Sequence, residues 1–206
     1  METTIHILLY DGFDEVDAIG PYEVFQCAAE YGADLTASMV TLAEREQVTA
    51  SHGLRVVPDG VLPPADDANR PDILLIPGGG WEAKTPTNSA WAEAKKGDIP
   101  EMAAAYHEVG ARLAAVCTGT MLLATGGITD GRRAITHHTA LDELAASGAE
   151  VVAARVVDDG DIITAGGVTS GIDLALAIVE REFGVERAEQ VATTMEYDRR
   201  TEPYRD

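Results

Sequence analysis

Short apolar runs alternate with longer segments of helical spacing along most of the chain. The runs typical of buried strands occupy residues 5–10, 36–42, 71–76, 111–116, 151–153 and 161–164. Helical patterns occupy residues 16–31, 101–109, 121–124 and 172–183. Strands that alternate with helices are typical of a mostly parallel sheet covered by helices. We therefore predict a three-layer α/β sandwich formed by one domain, residues 1–206.

Two segments leave their local structure open. Gly20-Pro21 falls inside the first helical pattern, where it must either start the helix or kink it. Residues 47–57 are broken by His52-Gly53 and fit either a hairpin or a pair of edge strands.

Length and composition favour a cytoplasmic protein. The 206 residues, 46% of them hydrophobic, are enough for one packed core. The N-terminus lacks a basic segment followed by an apolar stretch, and no apolar run approaches the length of a membrane span. Cys27 and Cys117 are too few for a disulfide framework or a thiolate zinc site, which fits a reducing compartment. The helical pattern around Cys27 indicates a packing role.

The charge balance is strongly acidic. The chain has 35 acidic and 15 basic residues, for a formal charge of −20. Phosphate contacts need Lys and Arg, so nucleic acid and anionic membranes are not expected partners. Because concentrated salt relieves self-repulsion, we predict a halophilic protein; an acidic mesophilic protein is the alternative.

Cys117 is the leading candidate for chemistry. It follows an apolar strand and precedes small residues and a helix, and ligands of parallel sheets gather at the carboxyl ends of the strands. Free N–H groups at the start of that helix would favour a thiolate and raise reactivity. Gly119 fits a crowded strand-to-helix turn because it has no Cβ. A small buried core residue is the alternative interpretation of Cys117.

Asp17 is the candidate partner. It lies soon after the first strand, near the same edge of the sheet, between apolar residues that suggest an inward orientation. A carboxyl there could carry a proton between water, sulfur and substrate. Asp14 and Glu15 are close rivals, and a first-turn acid of a helix needs no catalytic role.

Glycines after the buried strand at 71–76 could supply backbone donors. Gly78-Gly79-Gly80 matches no nucleotide-binding loop, but its N–H groups, with that of Gly119, could face a developing oxyanion; an ordinary glycine turn is the alternative. Trp81 next to them fits either a wall of the site or a surface cover. No nucleotide loop or ligand cluster is present, so no cofactor or metal is expected.

The positions of the histidines exclude one related chemistry. No histidine lies beyond residue 138, where a glutamine amidotransferase would need a late His-x-Glu. Thr118, not a histidine, follows Cys117. His137 and His138 are interpreted as ordinary loop or strand-end residues.

Several segments together resemble the ThiJ/PfpI superfamily, which has a flavodoxin-like fold and often forms dimers. The resemblance runs from about residue 5 to 184 and rests on the segments at 17–25, 77–80, 115–120, 131–137 and 164–173. The Asp-x-x-Gly-Pro and Cys-Thr-Gly motifs are most similar to the isonitrile hydratase group and to the amidotransferase-like domains of AraC-type regulators. Only about 20 residues follow Phe183, so a C-terminal DNA-binding domain is not expected.

This resemblance implies a cysteine-dependent hydration of a small electrophilic carbon, such as that of an isonitrile. Cys117 would be the nucleophile, Asp17 its proton donor and acceptor, and Thr118 an assistant through its hydroxyl or N–H. The implied partners are a small-molecule substrate and a second copy in a homodimer. A glyoxalase- or amidase-like enzyme, and a non-catalytic redox-sensing or ligand-binding protein, stay open as alternatives.

Overall fold

The computed structural model describes residues 2–200 and 202–205. Its strands are β1 (Thr3–Leu8), β2 (Leu35–Thr41), β3 (Val48–Thr49), β4 (Arg55–Val56), β5 (Gly60–Val61), β6 (Ile73–Ile76), β7 (Arg112–Val116), β8 (Arg133–Ala134), β9 (Glu150–Val151), β10 (Val156–Asp158) and β11 (Ile162–Ala165). Its helices are α1 (Glu15–Glu30), α2 (Ala90–Lys96), α3 (Asp98–Glu108), α4 (Gly119–Thr125), α5 (Leu141–Ala146), α6 (Ser170–Phe183) and α7 (Val185–Thr194), with a 3₁₀ turn at His138–Ala140.

Seven strands form the central sheet, in the order β10-β11-β7-β6-β1-β2-β5. All neighbours are parallel except β10, which pairs antiparallel with β11. The pairing of Ile7 with Leu75, and of Leu75 with Ala114, aligns β1, β6 and β7. The carboxyl ends of these three strands therefore meet at one edge of the sheet, as ligand sites of parallel sheets require.

Helices cover the sheet in two groups. α1 packs with α6 and α7, whereas α2, α3 and α4 pack with one another. β6 is buried along its whole length, which explains its unbroken Ile-Leu-Leu-Ile sequence. The architecture is a flavodoxin-like αβα sandwich with a mostly parallel sheet, so the predicted fold class is confirmed.

Local details differ from the predictions in several places. α1 begins six residues before Pro21 and continues through it, so Gly20-Pro21 does not start the helix. Residues 47–57 contain the antiparallel hairpin β3–β4, which stands apart from the central sheet. The run at 151–153 is only partly a strand, because β9 pairs with β8 in a separate two-stranded ladder. Within the described residues, no helix is both long and apolar enough to cross a membrane.

Candidate functional site

Cys117 forms a sharp corner between β7 and α4. Its φ of 55° lies in the left-handed region, which a residue with a Cβ adopts only under strain. The corner is held from two sides: Cys117 N–H donates to the Ala165 carbonyl at 2.8 Å, and its own carbonyl accepts from the Thr136 hydroxyl at 2.9 Å. A strained corner that projects a nucleophile between a strand and a helix is a recurrent device of α/β enzymes.

Asp17 lies in the first turn of α1 and is fully buried. The sequence Asp14-Glu15-Val16-Asp17 matches a capping box, in which the side chain at the fourth position bonds back to the first N–H. Here both groups bond to Gly78 instead, which accepts from one and donates to the other. The Asp14 N–H donates to the Gly78 carbonyl at 2.8 Å, and the Gly78 N–H donates to Asp17 Oδ2 at 2.9 Å. This exchange fixes Asp17 to the end of β6.

The second carboxyl oxygen of Asp17 is available for chemistry. Oδ1 is buried and meets no standard hydrogen-bond geometry with any described residue. The Cys117 thiol is nevertheless close enough to stabilise the carboxylate and to lower its pKa in part. Since buried acceptors are nearly always satisfied, Oδ1 points to a proton, a water molecule or a substrate atom as its functional partner.

Both members of the pair hold their protons more strongly than usual. Burial, and then the nearby Asp14 carboxylate, raise the pKa of Asp17 well above its ordinary value. Burial, and then the Asp17 carboxylate, raise the pKa of the Cys117 thiol. The expectation that the following helix would make Cys117 a resting thiolate is therefore wrong. α4 has only seven residues, and burial raises the pKa of Cys117 by more than the Thr118 N–H at the start of this helix lowers it.

Thr118 partly offsets this effect on the sulfur. Its backbone N–H and its hydroxyl both lower the pKa of Cys117. The Thr118 Oγ1 accepts the Gly79 N–H at 3.0 Å, which orients the hydroxyl beside the sulfur. Thr118 is thus placed to stabilise a thiolate that forms during a reaction.

The structure separates the roles predicted for the three glycines. The Gly79 N–H is already bonded to Thr118, so it is not free for an oxyanion. A Cβ on Gly119 would collide with the Ile76 carbonyl, so this glycine allows the corner to pack against β6. The Gly80 N–H bonds to no described residue and stays a candidate donor.

Asp14 acts electrostatically on both members of the pair, and two histidines act in turn on Asp14. Asp14 is half-buried, and burial raises the pKa of its carboxyl, whereas His52 and His137 lower it. Burial and the neighbouring His138 lower the pKa of His137. His137 therefore lies nearer the site than its sequence context indicated.

Glu15 holds the β3–β4 hairpin against the start of α1. It accepts hydrogen bonds from the Ser51 hydroxyl at 3.0 Å and from the N–H and Nδ1 of His52, both at 2.7 Å. Burial opposes ionisation, but these hydrogen bonds prevail and lower the pKa of Glu15 to about 2. No sequence pattern indicated this contact, because it joins residues far apart in the chain.

Two other candidates, Cys27 and Trp81, have packing contacts or hydrogen bonds outside the Asp17–Cys117 pair. Cys27 is buried in α1, consistent with a packing role. Trp81 is buried and donates from Nε1 to Glu143 at 3.0 Å, so it lines the cleft beside α5. Within residues 2–200 and 202–205, no group of three or more His, Cys, Asp or Glu side chains could hold a metal ion.

A strained cysteine at the end of a parallel strand, beside a buried carboxyl, defines a cysteine-centred flavodoxin-like protein. The profile of the DJ-1/PfpI family matches residues 3–181. The chain belongs to the DJ-1/PfpI family.

Named relatives within this family differ in function. The chain is 33% identical to the isonitrile hydratase of Pseudomonas putida over 199 residues, covering 96% of this chain and 79% of that protein. It is 29% identical to the Parkinson disease protein 7 homolog of Danio rerio, covering 90% of this chain and 92% of that protein. It is 31% identical to the HTH-type transcriptional regulator CdhR of Pseudomonas aeruginosa, covering 93% of this chain but 54% of the regulator.

A solved structure supports the same assignment. The crystal structure of a ThiJ/PfpI family protein from Pseudomonas syringae superposes with a TM-score of 0.82 and 27% identity, covering 99% of this chain and 78% of that chain.

Proposed function

We propose that this protein hydrates a small electrophilic carbon, with an isonitrile as the substrate class and an N-substituted formamide as the product. The observation that carries the proposal is the buried Asp17–Cys117 pair, in which one carboxyl oxygen bonds to the Gly78 N–H and the other is left for the thiol and a substrate. The similarity to an isonitrile hydratase supports the choice of substrate.

The raised pKa values of both groups suit a shuttle within the pair. As the sulfur attacks the terminal carbon of the isonitrile, its proton moves to Asp17, and a C–S bond forms. Asp17 then delivers that proton to the same carbon, which gives a thioimidate. The step starts from the ionised form of Asp17, and no net charge is buried or released because the adduct leaves Asp17 ionised again.

Water completes the reaction. Asp17 takes one proton from a water molecule while the oxygen adds to the carbon, and the nitrogen receives that proton. The C–S bond then breaks, the remaining hydroxyl proton returns to sulfur through Asp17, and a formamide leaves. The N–H and hydroxyl of Thr118 would stabilise the sulfur when it departs as a thiolate.

Activity on an isonitrile tests the proposal. Wild type, Cys117→Ala, Asp17→Asn and the control Cys27→Ala would be incubated with cyclohexyl isonitrile, and the formamide measured by NMR. We expect background rates for Cys117→Ala, a loss of roughly 10²–10⁴-fold for Asp17→Asn, and full activity for Cys27→Ala. Full activity in Cys117→Ala would overturn the covalent mechanism, and no product with wild type would overturn the substrate class.

A redox-sensing role is the second candidate, because Cys117 is a free thiol at the centre of the site. The species that peroxide oxidises is the thiolate, and the raised pKa of Cys117 counts against a fast sensor. Intact mass after peroxide treatment distinguishes the two, since a sensor would gain oxygen at Cys117 before Cys27.

The proposal also covers the oligomeric state of the protein and its location in the cell. We propose a cytoplasmic homodimer that acts on small molecules and does not bind nucleic acid. Light scattering coupled to gel filtration would give the mass of the particle, which should be twice that of the 21.8 kDa chain.

A further inference from the structure

A cavity lies next to the segments that anchor the backbone of Cys117, on the side of the sheet formed by β10 and β11. This side groove has a volume of about 680 Å³ and is lined by residues that include Ile135, Leu141, Ala154, Arg155, Gly166 and Tyr204. A cavity of this size accommodates the organic group of a small molecule.

Two wall segments connect the side groove to the reactive corner. Thr136 lines the groove, and its hydroxyl holds the carbonyl of Cys117 at 2.9 Å. Gly166 also lines the groove and directly follows Ala165, which accepts the Cys117 N–H at 2.8 Å. The groove therefore begins where the backbone of Cys117 is anchored.

The walls of the groove favour a neutral, apolar occupant. Ile135, Leu141 and Ala154 contribute aliphatic surface, and Tyr204 adds an aromatic ring from the C-terminal segment.

Charge in the groove disfavours an anion. Arg155 is paired with the buried Asp173 carboxylate, its Nη2 lying 2.7 Å from Oδ2. Glu202 places a further carboxylate in the wall. The strongly acidic surface of the whole chain acts in the same direction.

We infer that the side groove binds the organic substituent of the substrate, and that it selects neutral apolar or aromatic substituents over carboxylated ones. This inference rests on the proposed function for one point, namely that the reacting carbon is that of an isonitrile. A substituent held in the groove would place that carbon at the corner where Cys117 is fixed.

Substitution of Ala154 tests the selectivity. Ala154→Phe would fill the groove, and the matched control Ala146→Phe adds the same ring at an exposed position of α5. The measured quantity is the ratio of kcat/KM for benzyl isonitrile to that for methyl isonitrile at one fixed pH. We expect wild type to favour the benzyl compound by about tenfold or more, and Ala154→Phe to remove most of that preference.

Two results from the same assay would overturn the inference. One is a ratio unchanged in Ala154→Phe. The other is isocyanoacetate turned over as efficiently as benzyl isonitrile by wild type. The control Ala146→Phe should keep the wild-type ratio.

A second measurement separates this inference from the proposed function. In a Cys27→Ala background, the rates at which Cys117 displaces iodide from N-benzyl iodoacetamide and from iodoacetamide would be compared by intact mass. A groove that holds the benzyl group gives faster alkylation by the benzyl reagent, and Ala154→Phe abolishes the difference. If no isonitrile is hydrated but this preference is observed, the proposed function is wrong and the inferred binding in the groove is supported. Equal rates with both reagents in wild type would overturn the inferred binding.

Discussion

Asp17 accepts the Gly78 N–H at 2.9 Å through Oδ2, in a contact fully shielded from water that joins residues 61 positions apart. This bond uses one carboxyl oxygen for structure and leaves the other for chemistry. Because the Gly78 carbonyl also accepts the Asp14 N–H, a single residue fixes both the start of α1 and the orientation of the buried acid. A Cβ on Gly78 would lie 2.5 Å from the Thr118 nitrogen, so this approach requires glycine.

Asp14→Asn should make Cys117 more reactive. The Asp14 carboxylate raises the pKa of both Cys117 and Asp17, and its side chain caps Val16 N–H. Asparagine keeps the cap but removes the charge. We expect iodoacetamide to alkylate Cys117 about 3- to 10-fold faster at pH 8, measured by intact mass. The control Asp66→Asn, at an exposed loop position, should leave the rate unchanged; an equal effect there would show that only net charge matters.

Thr136→Val should loosen the reactive corner. The hydroxyl satisfies the buried Cys117 carbonyl, and its loss should lower the free energy of unfolding by about 1–2 kcal/mol. Thr129 offers a matched control, because it is also fully buried and its hydroxyl bonds to no described residue. Thr129→Val should therefore be neutral or stabilising in urea denaturation. Equal losses in the two variants would mean that the Thr136 bond does not hold the corner.

The sequence predicted the parts of the site that depend on local pattern. Cys117 stands at the end of an apolar strand, and Asp17 lies between apolar residues that direct it inward. The bond between Thr118 and Gly79 joins positions 39 apart and depends on how closely two strand ends approach. The protonated state of Cys117 depends on desolvation, which no motif records.

Secondary structure was missed where the hydrophobic pattern is weak. α7 buries only Ala188, Val191 and Ala192, so its apolar stripe is narrow and interrupted by charged residues. β5 and β8 have two residues each, and such strands are defined by their neighbours in a ladder rather than by their own sequence.

His52→Gln should change the pH dependence of stability. The bond to Glu15 raises the pKa of His52. The contribution of His52 to the stability of the fold is therefore complete below the ordinary histidine pKa, and it is lost as the pH rises through the raised value. The pKa of Glu15 is lowered to about 2, so its contribution is present above the ordinary glutamate pKa and is lost as the pH falls towards that value. The difference in Tm between wild type and His52→Gln should thus be largest between about pH 4.5 and 6.5.

Thermal melts across pH 3–9 in steps of about one unit would show this maximum. Glu15→Gln should remove the same maximum, and the double variant should resemble either single variant. A Tm difference that is constant across the range would mean that the His52–Glu15 contact makes no electrostatic contribution.

Tm should rise with KCl concentration, because a chain with a formal charge of −20 repels itself and salt screens that repulsion. Salt also weakens ion pairs, but some of these pairs are sheltered from it. Asp158 pairs with Arg181 at 3.0 Å, and the Asp158 side chain is only 6% exposed. At 1 M salt the screening length falls to about 3 Å, which removes most of the repulsion between scattered surface acids and less of the attraction within such a pair. We therefore expect a Tm several degrees higher in molar KCl than at low salt, measured by calorimetry. Sucrose at matched osmolality, which stabilises without screening charge, should account for only part of the rise. A flat or falling Tm would show that this acidic surface is not an adaptation to salt.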